Sequence, residues 1–174
     1  MWTTFDSPVG TVRVVAHDDA ITAVEFVDVA TEGATQGASV RFAAARSAGR
    51  AGDERRDDDP LLVGAVRQLT AYFAGELTEF DLPLDPGGTD FQRRVWDQLR
   101  QIGYGETLSY GDIAARLGMK PGASRAVGAA NGRNPIGIVI PCHRVVGAAG
   151  SLSGYAGGVE RKQLLLQLEQ EALF

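Results

Sequence analysis

SYGDIAARLGMKPGASRAVGAANG, residues 109–132, reads as two short helices joined by a tight turn. Ser109, with Asp112 three residues on, is a capping signal for the first helix, and Gly118 closes it. The second helix is built from alanine and glycine, with Arg125 and Arg133 as its long side chains. Two helices so joined predict a helix-turn-helix, although any amphipathic pair with a tight turn shares the pattern. A helix this thin can approach another surface closely.

Upstream, TDFQRRVWDQLRQI (89–102) has Thr89 and Gln92 in capping-box spacing and sets Phe91, Val95, Leu99 and Ile102 on one buried face. The Pro/Gly-rich connector LPLDPGG (82–88) before it divides the chain into an N-terminal α/β domain, 1–87, and a C-terminal domain, 88–174. Further back, DDDPLLVGAVRQLTAYFAGEL (57–77) opens a helix with Asp59 as N-cap and Pro60 in its first turn. Leu62, Val66, Leu69 and Phe73 form its apolar stripe, and Gly75 stops it. Residues 28–59 lack steady periodicity and read as a long surface loop with a short helix around 41–46. WTTFDS (2–7), GTVRVVAH (10–17) and AITAVEFV (20–27) are β-branched and separated by turn signals, which predicts a small antiparallel sheet. Downstream, IGIVI (136–140) reads as a buried strand stopped by Pro141. The closing ERKQLLLQLEQEAL (160–173) reads as a helix with Leu164, Leu165 and Leu168 facing the core. The fold class expected is α+β.

With 174 residues, 44% hydrophobic and 22% charged, and no apolar run near the ~18 residues that span a bilayer, the chain is expected to be soluble, with no membrane partner. MWTTFDSPVG has neither a basic nor an apolar leader segment, so the expected compartment is the cytoplasm. Residues 1–89 hold seven Arg and fifteen Asp/Glu, a balance of 7 − 15 = −8; residues 90–174 hold ten Lys/Arg and seven Asp/Glu, a balance of 10 − 7 = +3. The basic second half permits an anionic partner without requiring one.

NPIGIVIPCHRVVG (134–147) contains Cys142, the one cysteine, beside His143. A single cysteine excludes an intrachain disulfide, and with only His17 and His143 a zinc site of usual spacing is not available; no metal and no cofactor are expected. A lone buried cysteine is most often a small hydrophobe. Here it follows Pro141, where the chain must turn, and is followed by His143 and Arg144, which favour the reactive thiolate. Adjacent side chains seldom point at one another, so the imidazole would act through a water and needs a third group to orient it.

IPCHRVVG, preceded by NP and GETLSYGDIA and followed by GYAGGVERKQLLLQLE, resembles the O6-alkylguanine-DNA alkyltransferase family, the methylated-DNA-protein-cysteine methyltransferases. The resemblance is strong over 61–169 and holds in outline over the N-terminal sheet. It implies a ribonuclease H-like N-terminal domain and a winged helix-turn-helix C-terminal domain. It implies that Cys142 accepts the alkyl group from guanine O6, that His143 takes the thiol proton through a bridging water, and that Glu169 orients the imidazole. By the same resemblance Asn134 braces the active-site turn, and the Tyr110 phenol hydrogen-bonds guanine N3. Backbone groups near Cys142, Val145 and Ala156 would read the guanine edge, in a pocket that also includes Tyr155 and Gly157. Ala156 stands where many relatives have serine; a backbone N–H contact would survive that change.

The target base must leave the duplex to reach a buried thiol. The resemblance implies flipping from the minor groove, with Arg125 filling the vacated stack and Arg133 also on the DNA. Small residues, Ala126, Gly128, Ala129 and Ala130, suit a groove only about 6 Å wide. The partner is then double-stranded DNA carrying alkylated bases, with O4-alkylthymine left open, and the free protein is expected to be monomeric. A thioether on Cys142 has no evident route to cleavage, so each molecule would react once. Two alternatives remain at this stage: a DNA-binding regulator that binds lesions without chemistry, and a cysteine hydrolase, whose motif order differs.

Overall fold

The computed structural model describes residues 1–27, 54–152, 155 and 157–172. The greater part of the expected loop, 28–53, with its short helix around 41–46, and Ala156 lie outside the described residues.

Strands β1 (Trp2–Ser7), β2 (Gly10–His17) and β3 (Ala20–Val27) form an antiparallel sheet in that order. Val12 lies opposite Phe26 and Val14 opposite Val24, so alternation puts these four on one buried face. Helix α1 (Pro60–Phe73) packs across the strands through Leu62, Ala65, Leu69, Tyr72 and Phe73, while Val66 is only half-buried at the edge of that stripe. The helix starts as the sequence indicates: the Asp59 carboxylate accepts from the amides of Leu61 and Leu62 at 3.0 and 3.2 Å, with Pro60 in the first turn. Asp59→Ala should therefore lower stability by about 1 kcal/mol, read as a melting midpoint about 2–4 °C lower. An unchanged midpoint would mean that the cap adds nothing here.

The outer edge of β3 is occupied by segments from further along the chain. Ile21 bridges Leu84 of the connector, and Val24 bridges Ile136. The Val24 amide donates to the Pro135 carbonyl at 3.0 Å, and the Gly137 amide donates back to Val24 at 3.1 Å. An otherwise free sheet edge is thereby used to hold the stretch that leads into Cys142.

Helix α2 (Asp90–Leu99) opens with the full Thr89/Gln92 capping box and buries Val95, Trp96 and Leu99; Ile102 is buried just past its end, and Phe91 is half-buried. Gly88 enters this helix at φ 84°, where a Cβ would meet the Trp96 ring at 2.6 Å, so the approach requires glycine. Strand β4 (Leu108–Ser109) leads into α3 (Tyr110–Arg116), capped by the Ser109/Asp112 box and followed by Gly118 at φ 68°. Helix α4 (Ser124–Gly132) completes the helix-turn-helix. Strand β5 (Val145–Val146) pairs in parallel with β4, and α5 (Val159–Glu171) closes the described fold. The architecture is α+β: a small antiparallel sheet with its helix, then a mostly helical part built around the helix-turn-helix.

Two expectations are corrected. Residues 136–140 are buried but do not form a strand. The Val139 amide donates to Gly137 O at 2.7 Å and the Ile140 amide to Ile136 O at 3.0 Å, which curls the segment into turns with Ile138 at φ 69°. Asn134 drives the curl: its Oδ1 accepts from Ile136 N at 3.0 Å, and its Nδ2 donates to Ile140 O at 2.8 Å. The apolar run reflected burial, which periodicity cannot tell from extension in so short a segment. On α5, Leu164 is 48% exposed, while Lys162, Leu165 and Glu169 face inward with Leu168 half-buried. Two buried polar residues thus occupy the spacing that the leucines suggested.

Candidate active site

Pro141 ends the curl, and Cys142–Arg144 form a single 3-10 turn whose three side chains are buried. This turn packs against α5, which brings Glu169 beneath it. His143 Nε2 lies 2.7 Å from Glu169 Oε1, with both side chains inaccessible to solvent. Arg144 donates Nε to both carboxylate oxygens, at 3.1 and 3.0 Å, and Nη2 to Oε1 at 2.8 Å; its Nη1 donates to Ile102 O at 2.7 Å. The Tyr72 hydroxyl donates to Oε1 at 2.8 Å, and the Gly105 amide reaches Oε2 at 3.4 Å. Both oxygens of the carboxylate thus accept hydrogen bonds, as a buried charge requires.

Burial alone would raise the Glu169 carboxyl, but the bonds and charges of His143 and Arg144 outweigh it and hold the group at about 2. Glu169 is thus a carboxylate at neutral pH, and the hydrogen on the shared bond belongs to His143 Nε2. Nδ1 is then the basic nitrogen; it is buried and has no hydrogen-bond partner among the described residues. Burial also depresses the imidazole below its ordinary value, so that it is neutral at pH 7. The Cys142 thiol is pushed up to about 11 by burial, against the opposing pull of the Asn134 hydrogen bond and the Lys162 charge. Lys162 is itself buried, donates to the Val145 carbonyl, and lies 5.8 Å over the Tyr110 ring. The resting site therefore pairs a protonated thiol with a neutral base backed by a carboxylate.

The β4–β5 pairing, Leu108 to Val145 and Ser109 to Val146, places Tyr110 at the start of α3 beside the turn that follows Cys142. Its phenol is raised by burial and by the Cys142 charge, while a hydrogen bond with Asn131 pulls the other way. Helix α4 links the site to the surface. Its inner face buries Val127, Ala130 and Asn131, and the Asn131 amide donates to Cys142 O at 3.3 Å. Its outer face exposes Arg125, Ala126 and Ala129, and Arg133 is exposed at its C-terminal cap.

Of the residues singled out from sequence, Cys142, His143, Glu169, Asn134, Tyr110, Val145 and Tyr155 gather in this region. Gly157 packs so closely that a Cβ would meet Tyr155 and Phe26 at 2.7 and 2.8 Å. Two expected DNA-facing residues point elsewhere. Ala130 is 3% exposed, its carbonyl accepting from Trp96 Nε1 at 2.8 Å, because α4 must pack on α2 through that side. Gly128 faces Tyr110, whose Cδ1 would be 3.8 Å from an added Cβ. Sequence reasoning missed Asn131, Lys162 and Tyr72. It expected Arg144 to favour the thiolate, whereas the guanidinium is engaged by Glu169, burial raises the thiol, and the opposing charge comes from Lys162. Arg144 lies within the motif itself, whereas Tyr72 is 97 positions from the carboxylate it bonds, beyond any local signal.

The fold and the site define a class of helix-turn-helix proteins that hold a buried thiol against an imidazole–carboxylate pair. A family profile described as the DNA binding domain of 6-O-methylguanine DNA methyltransferase matches residues 90–171, and one described as its ribonuclease-like domain matches residues 1–86. The chain belongs to the 6-O-methylguanine DNA methyltransferase family. It is 50% identical over 167 residues to a methylated-DNA–protein-cysteine methyltransferase of Mycolicibacterium paratuberculosis, covering 96% of this chain and 90% of the relative. A protein of the same name from Methanosarcina acetivorans is 43% identical over 165 residues, covering 95% of each. The crystal structure of Mycobacterium tuberculosis O6-methylguanine methyltransferase superposes with a TM-score of 0.79 at 47% identity, over 98% of this chain and 94% of that one. The M. tuberculosis OGT in complex with DNA gives 0.78 at 47%, over 98% and 93%.

Proposed function

We propose that this protein repairs double-stranded DNA by taking the alkyl group from O6-alkylguanine onto Cys142, once per molecule. The observation that carries this reading is the buried Cys142 turn, joined through Asn131 to the helix that exposes Arg125 on its outer face and Arg133 at its C-terminal cap. The thiol proton passes through a water to His143 Nδ1, and Glu169 offsets the imidazolium charge that results. Sulfur attacks the alkyl carbon in line with O6. The S–C bond forms as the C–O6 bond breaks, and its electron pair leaves with guanine. Tyr110 hydrogen-bonds guanine N3 to ease that departure, and the Lys162 charge favours the thiolate while it lasts. Asn134 keeps the turn in place, and the backbone near Val145 and Ala156 reads the guanine edge beside Tyr155 and Gly157.

Holding the thiol at about 11 suits a single-use nucleophile, because it stays protonated and unreactive until a base partner completes the site. Arg125 fills the gap left by the flipped nucleotide, while Ala126 and Ala129 let α4 enter the minor groove. Phosphate contact from Arg133 would be indifferent to sequence. The free protein is taken to be monomeric and cytoplasmic. Among the described residues, no helix is long and apolar enough to cross a membrane.

Intact mass after mixing with a duplex containing one O6-methylguanine tests this reading. A gain of about 14 Da on Cys142, limited to one equivalent and absent from Cys142→Ser, is the expected result. Binding with no mass change would instead make it a lesion-binding regulator.

A further inference from the structure

Glu169 is held from a distant part of the chain as well as by its neighbours. Tyr72, on α1 and within residues 1–86 matched by the ribonuclease-like profile, is fully buried and places its hydroxyl 2.8 Å from Oε1. This is the oxygen that meets His143 Nε2 at 2.7 Å. The ring cannot swing away: Phe73 stands edge-on at 5.4 Å, Phe80 lies at 5.5 Å and Tyr104 at 6.1 Å. The sheet on which α1 packs also grips the other side of the site, through the Val24 bonds to Pro135 and Gly137. We propose that Tyr72 is a positioning residue for alkyl transfer: its hydroxyl fixes the Glu169 carboxylate against His143 and sets how strongly that carboxylate backs the imidazole. The N-terminal part of the chain thereby contributes to the chemistry as well as to stability. This inference rests on the function proposed above.

The direction of the effect follows from shared acceptance. A phenol that donates to Oε1 withdraws charge that would otherwise stabilise the His143 imidazolium. Burial and the Glu169 charge raise the Tyr72 phenol, so it remains a neutral donor. The other groups facing the carboxylate are Arg144 and His143 from the 3-10 turn and Tyr104 with the Gly105 amide from the loop after α2. Lys162 on α5 acts on His143, and Tyr155 feels the Glu169 charge. All of these stay in place when only the Tyr72 hydroxyl is removed. His143 then becomes the stronger base and is protonated at higher pH, and the reaction rate falls away earlier on the acid side.

The test is single-turnover methyl transfer from an O6-methylguanine duplex, measured at saturating protein from pH 5 to 9 for wild type and Tyr72→Phe. The acid limb of the variant should lie about half a pH unit or more higher, a loss of about threefold in rate below both limbs, with DNA affinity unchanged. In a Glu169→Gln background Tyr72→Phe should change nothing further, because its route is gone. Leu62→Val, which loosens α1 against the sheet ten positions from Tyr72 and leaves the rings around Tyr72 untouched, should leave the limb in place. An unmoved limb in Tyr72→Phe, an equal shift in Leu62→Val, or a full effect persisting without Glu169 would each overturn the proposal. Should Tyr72→Phe fail to fold, 3-fluorotyrosine placed at position 72 alone keeps the shape and strengthens the donor. It should move the limb to lower pH, and no movement would overturn the proposal. Failure of the wild type to take up a methyl group would sink the proposed function itself, which is a separate result.

Discussion

His143→Gln should slow methyl transfer at pH 7.5 by about a hundredfold or more, the usual scale for losing a positioned general base. Glutamine preserves much of the volume and offers Glu169 Oε1 an amide hydrogen in place of the Nε2 hydrogen at 2.7 Å, so the buried carboxylate keeps its partners. What it lacks is the basic nitrogen. Deprotonation then depends on the thiol alone, and with Cys142 at about 11 only about one molecule in a few thousand carries a thiolate at pH 7.5. The rate of the variant should therefore climb about tenfold per pH unit between pH 7 and 10. The wild type should be flat over that range, because burial keeps His143 neutral there, and should fall only on the acid side of its depressed value. Rapid-quench methyl transfer on a labelled duplex measures both profiles, with binding followed separately by anisotropy. A variant within threefold of wild type and equally flat would show that the thiolate forms without His143.

Short-range signals were the legible ones. The Asp59 cap, the Thr89/Gln92 box and the Ser109/Asp112 box each depend on residues within three positions of one another, and each closes in the structure with the bonds expected. Cys142 and His143 stood out for the same reason, as neighbours in an unusual context. Glu169 was reached only by resemblance, because on α5 the inward positions are shared between Leu165 and two charged residues, Lys162 and Glu169, which defeats a reading by apolar spacing. The 136–140 run failed differently: its curl is imposed by the Asn134 side chain, a bonding pattern that hydrophobicity does not encode. Ala130 and Gly128 are expected at the DNA because the resemblance puts their helix in the groove and they are small, whereas the orientation of α4 is fixed by what it packs against, Trp96 on one side and Tyr110 on another. Tyr72 and Arg144 carry the same lesson, since both act through a partner that the fold brings from far along the chain.

Arg144→Leu removes one member of a buried ion pair and should cost about 3–5 kcal/mol of stability, because the surviving charge keeps its desolvation penalty. In a chain of 174 residues that corresponds to a melting midpoint about 10 °C lower. Three of the bonds lost are to Glu169 and the fourth is to Ile102 O, which is left without that donor. Leucine fills most of the space, so the loss reads chiefly as electrostatic. The pH dependence separates this from a packing defect. In the wild type Glu169 is held at about 2 against an ordinary 4.5, so its contribution is complete above 4.5 and disappears as pH falls toward 2. Without Arg144 the carboxyl titrates at a higher pH and can be neutralised by protonation, and the value of the guanidinium to the fold shrinks as both proteins bind that proton. The gap in midpoint between wild type and variant should therefore be widest near neutral pH and close progressively below pH 4.5. Arg144→Lys, which keeps the charge but cannot make the forked contact with both carboxylate oxygens, should fall between the two. Calorimetry from pH 7 to pH 3 makes the comparison directly. A gap that stays constant over that range would assign the loss to packing, and a gap under 3 °C at pH 7 would mean that Glu169 is held without the arginine. In either case the carboxylate behind His143 would owe its charge to His143 and to the hydrogen bonds from Tyr72 and the Gly105 amide, and the arginine of the motif would need another explanation.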